Sequence, residues 1–159
     1  MLVKLEFAAF GIDSKKNSPI VFLKESGGAR MLPVPVGPLE ASAIAIETLK
    51  VTVQKPLTID VAKSILEQFG GTLSRTILFL DGSAHLMARL EIAGPDKTRC
   101  IECRPCDAIA LALRTKSPLY AYEEVLAKCC RNGKTGEGDG LRNHIASLDT
   151  LEFGTYHLE

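Results

Sequence analysis

The sequence predicts an α+β protein, a single compact domain in which a curled sheet of mixed, largely antiparallel strands packs against helices. Short apolar runs separated by turn residues come in groups of three, each group leads into an Ala-rich segment with helical character, and the second group resembles the first. A chain of 159 residues, 46% of them hydrophobic, is long enough to bury one core.

The first group of strands is predicted at residues 2–10, 20–23 and 31–36, with turns in the polar stretch between the first two and at Gly27-Gly28. Pro33 and Pro35 favour an edge position for the third strand, because proline cannot donate a ladder hydrogen bond. From Pro38 to Lys50 the chain is Ala-rich and predicts a helix that begins with proline in its first turn.

A second helix is predicted over residues 58–69, capped by Thr58 and ended by Gly70-Gly71. Its predicted apolar face consists of Val61, Ile65, Leu66 and Phe69. The remaining elements are predicted as strands at 72–80, 84–92 and 98–103, a helix at 105–114, a strand at 119–122 and a helix at 123–131.

An internal repeat connects the two groups. A shift of 67 residues places Pro38 on Pro105 and Glu40 on Asp107, and it aligns the alternating Ala and Ile or Leu residues that follow. Two similar β-β-β-α units joined by the helix at 58–69 explain this pattern. The alternative is that buried Ala-rich helices resemble one another by composition alone.

The C-terminal part differs in composition from the rest. We assign residues 1–131 to the domain, 132–140 to a Gly-rich linker and 141–159 to an acidic tail with a short helix. The 19 basic and 19 acidic side chains cancel, but residues 137–159 hold five acidic side chains and one basic. The body is therefore mildly basic, and we expect its binding to DNA or RNA to be weak and salt-sensitive.

Location follows from the apolar runs and the cysteines. No stretch approaches the roughly 20 apolar residues of a membrane helix, so we expect no membrane partner. Five cysteines, two of them adjacent, do not form the even set typical of a secreted disulfide framework. These features favour the cytoplasm.

Three acidic residues form the main candidate site. Each falls in the first turn of a predicted helix shortly after a proline: Glu40, Asp60 and Asp107. The helix macrodipole alone explains such placement. If the three carboxylates converge, they could hold Mg²⁺ or Mn²⁺ and carry out phosphodiester chemistry. The candidate phosphate-binding residues are then Arg30, Lys55, Arg104 and Arg114.

Three cysteines form a second candidate site. Cys100, Cys103 and Cys106 are spaced like part of an iron–sulfur or zinc centre, which needs a fourth ligand. We favour the simpler interpretation that they are small core residues.

Three segments resemble the bacterial bifunctional nuclease family: LPVPVGPLEA at 32–41, KPLTID at 55–60 and ECRPCDAIALALR at 102–114. The resemblance implies a small α+β domain, often oligomeric, that cleaves DNA and RNA. The site positions it implies are Glu40, Asp60, Arg104, Asp107 and Arg114.

Two departures from the family pattern bear on activity. Ile59 stands where the family usually has His, and Cys106 stands where it has Ser. We therefore keep two hypotheses: a divalent-metal-dependent nuclease, and a non-catalytic, homo-oligomeric binding or regulatory module that retains the fold.

Overall fold

The computed structural model describes residues 1–13 and 16–130. Within them the chain forms seven strands and four helices. The elements are β1 (Leu2–Asp13), β2 (Ser18–Glu25), β3 (Met31–Pro35), α1 (Pro38–Thr48), α2 (Thr58–Gln68), β4 (Thr72–Leu80), β5 (Leu86–Ala93), β6 (Thr98–Cys103), α3 (Pro105–Thr115), β7 (Leu119–Tyr122) and α4 (Glu123–Cys129). The predicted linker and tail at 132–159 lie outside the described residues, as does Arg131.

All seven strands belong to one mixed sheet in the order β3-β2-β1-β7-β4-β5-β6. Each group of three strands is an antiparallel meander, and β7 joins them, antiparallel to β1 and parallel to β4. Helix α3 contacts β3 at one edge of the sheet as well as β4 and β5 near the other edge. The sheet therefore curls around α3 without closing, which confirms the predicted fold class and the order of the two units.

Helix α3 lies at the centre of the core. Six of its eleven residues are buried: Cys106, Ala108, Ile109, Ala110, Leu111 and Ala112. All of them except Ala112 pack with apolar residues of the sheet and with Ile44 of α1 and Val125 and Leu126 of α4 in one continuous cluster. No helix in the described part of the chain is both long and apolar enough to cross a bilayer.

Several predicted element boundaries need correction. Strand β1 continues to Asp13 in register with β2, and β5 begins only at Leu86 because Ala84 has a positive φ in the preceding turn. Helix α1 ends at Thr48, since Lys50 also takes a positive φ. The edge position predicted from Pro33 and Pro35 is confirmed for β3.

Helix α2 differs most from the prediction. Its N-cap is Leu57 and not Thr58, and the carboxylate of Asp60 accepts a hydrogen bond of 2.8 Å from the Leu57 N–H. The predicted apolar face is largely uncovered: Val61, Ile65 and Phe69 are exposed, and only Leu66 packs against the core. The spacing correctly indicated a one-sided helix, but periodicity does not specify what covers that side.

Thr76 supplies a test of the core. It lies on β4 between β5 and β7, is fully buried, and its hydroxyl has no hydrogen-bond partner among the described residues. Replacing an unpaired buried hydroxyl by a methyl group removes its desolvation cost. We expect Thr76→Val to raise the free energy of unfolding by about 1 kcal/mol in urea titrations.

Thr72→Val on the same strand is the control, because Thr72 is exposed and its replacement should leave stability unchanged. A loss of stability in Thr76→Val would mean that the hydroxyl is hydrogen-bonded in solution.

Candidate functional site at two adjacent helix starts

Helices α1 and α3 run in the same direction, side by side. Arg104 at the start of α3 contacts Glu40 in the first turn of α1, and Arg114 near the end of α3 contacts Glu47 near the end of α1. Both helices begin with proline, which fits a first-turn position because its missing N–H has no intrahelical partner there. This arrangement brings the first-turn acids Glu40 and Asp107 to the same end of the helix pair.

Arg104 bridges these two acids. Its guanidinium donates to Glu40 Oε1 at 2.9 Å and to both carboxylate oxygens of Asp107 at 2.8 and 3.1 Å. The Arg104 side chain is 67% exposed, whereas Glu40 is 19% exposed. The hydrogen bonds to Asp107 and the charge of Asp107 raise the pKa of Arg104, with further contributions from Cys106 and Glu40, so it remains cationic.

The Glu40 carboxylate is held against the backbone that precedes α1. A Cβ built on Gly37, the N-cap residue of α1, would lie 2.3 Å from Glu40 Oε2. Glycine at position 37 therefore leaves the space that the carboxylate occupies.

Cys106 lies beside the two acids. Its Sγ and one carboxylate oxygen from each of Glu40 and Asp107 all lie within 4.8 Å of one another, the one such group of potential metal ligands in the described residues. Burial, and then the charge of Asp107, raise the pKa of the Cys106 thiol. The same two causes raise the pKa of Cys103 to about 11. Cys100 is exposed on β6, so the interpretation as a core residue is wrong for it and is confirmed for the buried Cys106. The described structure does not gather Cys100, Cys103 and Cys106 into one ligand group.

Asp60 belongs to a different cluster. It accepts hydrogen bonds from Arg114 and from the Leu57 N–H, and Arg114 also donates to Glu47 Oε2 at 2.5 Å. Burial raises the pKa of Asp60, but the hydrogen bonds from Leu57 and Arg114 outweigh it and lower the pKa overall. Asp60 therefore links the start of α2 to α3. Its carboxylate does not lie in the group that Glu40 and Asp107 form.

An apolar cleft of about 590 Å³ opens beside the Arg104 bridge, between α1, α2 and α3. Glu40, Arg104 and Asp107 line one side of it. The apolar side is formed by Leu39, Ile46, Leu57, Ile59, Leu90 and Leu111. The structure thus places Ile59 at the same cleft as the two acids, where its side chain offers no proton donor, acceptor or ligand.

The remaining candidate cations are separate from the Arg104 bridge. Arg30 binds both Glu25 and Glu123 and so ties the β2–β3 turn to the start of α4. Lys55 is exposed two residues before Leu57 and has no ion pair within the described ranges. Of the predicted phosphate-binding residues, the structure places Arg104 beside the acids Glu40 and Asp107.

Two residues of these clusters, Glu47 and Cys106, were not predicted from the sequence to lie beside the acids and arginines. Glu47 is the partner of Arg114, and the two are 67 residues apart, the same shift that relates the two units. Opposite charges at equivalent repeat positions could have indicated this contact. Cys106 was assigned to the cysteine pattern, although it directly precedes Asp107 in the same helical turn.

Comparisons with known proteins agree with the family resemblance of the sequence. The family model described as the bifunctional nuclease domain matches residues 21–132, a range that contains both acids of the Arg104 bridge. The chain belongs to the bifunctional nuclease domain family. Two uncharacterized proteins of Mycobacterium tuberculosis, from strains CDC 1551 / Oshkosh and ATCC 25618 / H37Rv, are each 32% identical over 117 residues, which cover 74% of this chain and 70% of theirs. Membership of the bifunctional nuclease domain family points to a nuclease-like function.

Arg114 supplies a test of the second cluster. Arg114→Met keeps the apolar stem but leaves the carboxylates of Asp60 and Glu47, both mostly buried, without their cation. We expect the free energy of unfolding at neutral pH to fall by about 1–2 kcal/mol, discounted for partial exposure. Lys128→Met is the control, because Lys128 forms an exposed pair with Glu124 within α4 and is not part of this cluster.

The pH dependence of the stability lost in Arg114→Met should follow the ionisation of the Asp60 carboxylate. Its folded pKa lies below the usual 3.8, so the ionised carboxylate stabilises the fold above that pH, and this contribution is lost as the pH falls through the lowered pKa. The stability difference between the wild type and Arg114→Met should therefore shrink in acid. A difference that stays constant from neutral to acidic pH would contradict this role for Asp60.

Proposed function

We propose that this protein is a nuclease that hydrolyses phosphodiester bonds of DNA or RNA at the Glu40–Arg104–Asp107 group. The observation that carries the proposal is the bridge itself: two carboxylates and one exposed guanidinium meet where two helix starts converge beside a cleft. Family membership supports the same reaction class.

Glu40 and Asp107 fit a divalent cation. They offer carboxylate oxygens close together, the donors that Mg²⁺ and Mn²⁺ prefer. Such an ion, when bound, would lower the pKa of an attacking water and offset the charge of the phosphate. In this proposal Asp60 is not a ligand, because Arg114 and the Leu57 N–H already engage it.

Arg104 and the helix starts bind the phosphate. The guanidinium offers a planar fork that suits two phosphate oxygens, and its exposure lets it reach an incoming strand. The N-terminal ends of α1 and α3 add positive potential at the same place. Lys55 is a further cation without a competing carboxylate among the described residues, and it strengthens binding to the nucleic-acid backbone.

Asp107→Asn tests the reaction. The substitution keeps the shape of the side chain but removes a negative charge beside the scissile phosphate, so we expect cleavage of single-stranded DNA or RNA with Mg²⁺ or Mn²⁺ at low salt to fall roughly 100-fold or more. Asp96→Asn, an exposed change in the β5–β6 turn, is the matched control and should cleave like the wild type.

Thermal unfolding of both variants checks that the fold is kept. Equal residual cleavage by Asp107→Asn and the wild type would identify a contaminating nuclease and remove this assignment.

A second candidate function is a non-catalytic, homo-oligomeric binding or regulatory module. Ile59 in place of the usual family His favours it, since an apolar side chain performs no acid–base chemistry at the cleft. The uncovered face of α2 favours self-association, because an exposed apolar patch of this kind is typical of an interface, and Phe69 alone is 82% exposed. We propose that a second copy of the chain covers this face.

Phe69→Lys tests the oligomer. A buried ammonium would destabilise the contact, so the variant should elute as a smaller species than the wild type in size-exclusion chromatography with light scattering. Gln68→Lys adds the same charge beside the patch without removing apolar surface and should keep the wild-type size. A monomeric wild type would exclude this use of α2, whatever the outcome of the cleavage assay.

A further inference from the structure

The group formed by Glu40, Cys106 and Asp107 includes a sulfur atom, which is not a ligand that Mg²⁺ prefers. Each residue offers one ligand atom, and the three atoms lie within 4.8 Å of one another. Two are hard carboxylate oxygens and the third is sulfur. Thiolate ligands select Zn²⁺ and similar borderline cations, whereas Mg²⁺ takes oxygen ligands almost alone.

The three donors are held in place by the fold. Cys106 and Asp107 are consecutive in the first turn of α3, and Glu40 projects from the first turn of α1 against Gly37. Cys106 is only 7% exposed, and in the described part of the chain its sulfur interacts with the backbone N–H of Asp107 but makes no hydrogen bond to another side chain. Its buried sulfur therefore lies next to the two acids without a side-chain partner of its own.

The site already accommodates positive charge. The guanidinium of Arg104 lies between the two carboxylates, and because its side chain is 67% exposed it can rotate outward into solvent. Two carboxylates, one thiolate and one guanidinium sum to a charge of −2, which one divalent cation balances.

We propose that Glu40, Cys106 and Asp107 form a three-ligand Zn²⁺ site. Zinc sites with three protein ligands leave a fourth position for water or substrate, and two of the proposed ligands, Glu40 and Asp107, line the cleft. On binding, the Cys106 thiol releases its proton to solvent, a Zn–S bond forms, and the oxidation states do not change. The inference rests on the proposed function, because both place a divalent cation at Glu40 and Asp107. It differs in the identity of the ion, which is Zn²⁺ bound partly by sulfur and not Mg²⁺ or Mn²⁺ bound by oxygen alone.

Co²⁺ is the probe, because it replaces Zn²⁺ in such sites and a cobalt–thiolate bond gives a charge-transfer absorption in the near ultraviolet. The full chain, kept reduced, should develop this band on titration with Co²⁺ and lose it when Zn²⁺ is added. Cys106→Ser should abolish the band. Loss of even an outer-shell partner of a metal site costs about 10–100-fold in affinity, so loss of this ligand should weaken Zn²⁺ binding at least tenfold.

Three control variants address the other four thiols; the first, Cys103→Ser, removes the thiol that lines the same cleft and should keep the band. Cys100→Ser removes an exposed thiol outside the group, and the double variant Cys129→Ser with Cys130→Ser removes the pair at the end of α4; both should keep the band. Glu40→Gln should weaken Co²⁺ binding while every thiol remains, which keeps the test valid if Cys106→Ser fails to fold. A band that survives Cys106→Ser, or no Co²⁺ binding at all, would overturn the proposal.

The outcomes separate this inference from the nuclease. A Cys106-dependent cobalt band without cleavage under Zn²⁺, Co²⁺, Mg²⁺ or Mn²⁺ supports the site and removes the proposed function. Cleavage with Mg²⁺ that Cys106→Ser leaves unchanged, together with no cobalt band, removes the site and keeps the nuclease.

Discussion

The parallel packing of α1 on α3 is the contact on which both clusters depend. Each helix has 11 residues and is therefore about 16 Å long. If the two helices ran in opposite directions, Glu40 and Asp107 would lie at opposite ends, too far apart to share an arginine. Because they run together, one end gathers the two acids with Arg104, and the other end pairs Glu47 with Arg114. Both helices are rich in alanine, whose small side chain permits close packing of helices.

The two arginines have different roles although both bridge two acids. Arg104 is largely exposed and sits beside an open cleft, so its guanidinium is accessible to solvent while it bridges Glu40 and Asp107. Arg114 is mostly buried, and it holds α2 against α3 through Asp60. The two clusters therefore differ in exposure, even though both consist of an arginine and two acids.

Much of the fold could be predicted from the sequence because its determinants are local. The strands at 72–80, 98–103 and 119–122 coincide with the observed ones, and Pro38 and Pro105 mark the helix starts. The site could be predicted only in part. Glu40, Asp60 and Asp107 have the same local pattern of an acid in a first turn after proline, and that pattern does not reveal which helices lie side by side. Asp60 begins a helix outside the repeat, so its carboxylate points to other partners. The exposure of the apolar face of α2 was not predicted for a similar reason. Periodicity describes the residues of one helix, whereas burial depends on which other element packs against it.

The pair formed by Glu47 and Arg114 has a consequence for how the two units differ. These residues occupy equivalent positions, and the parallel helices place them in direct contact. Two identical units packed in this way would set the same side chain against its own copy, so a charged residue there would repel itself. Joining the units in one chain frees the two positions to change independently, and opposite charges then fix which helix is the partner of which. The two units therefore differ at this contact, and the difference allows an ion pair between α1 and α3. A symmetric assembly of two identical units could not form that pair.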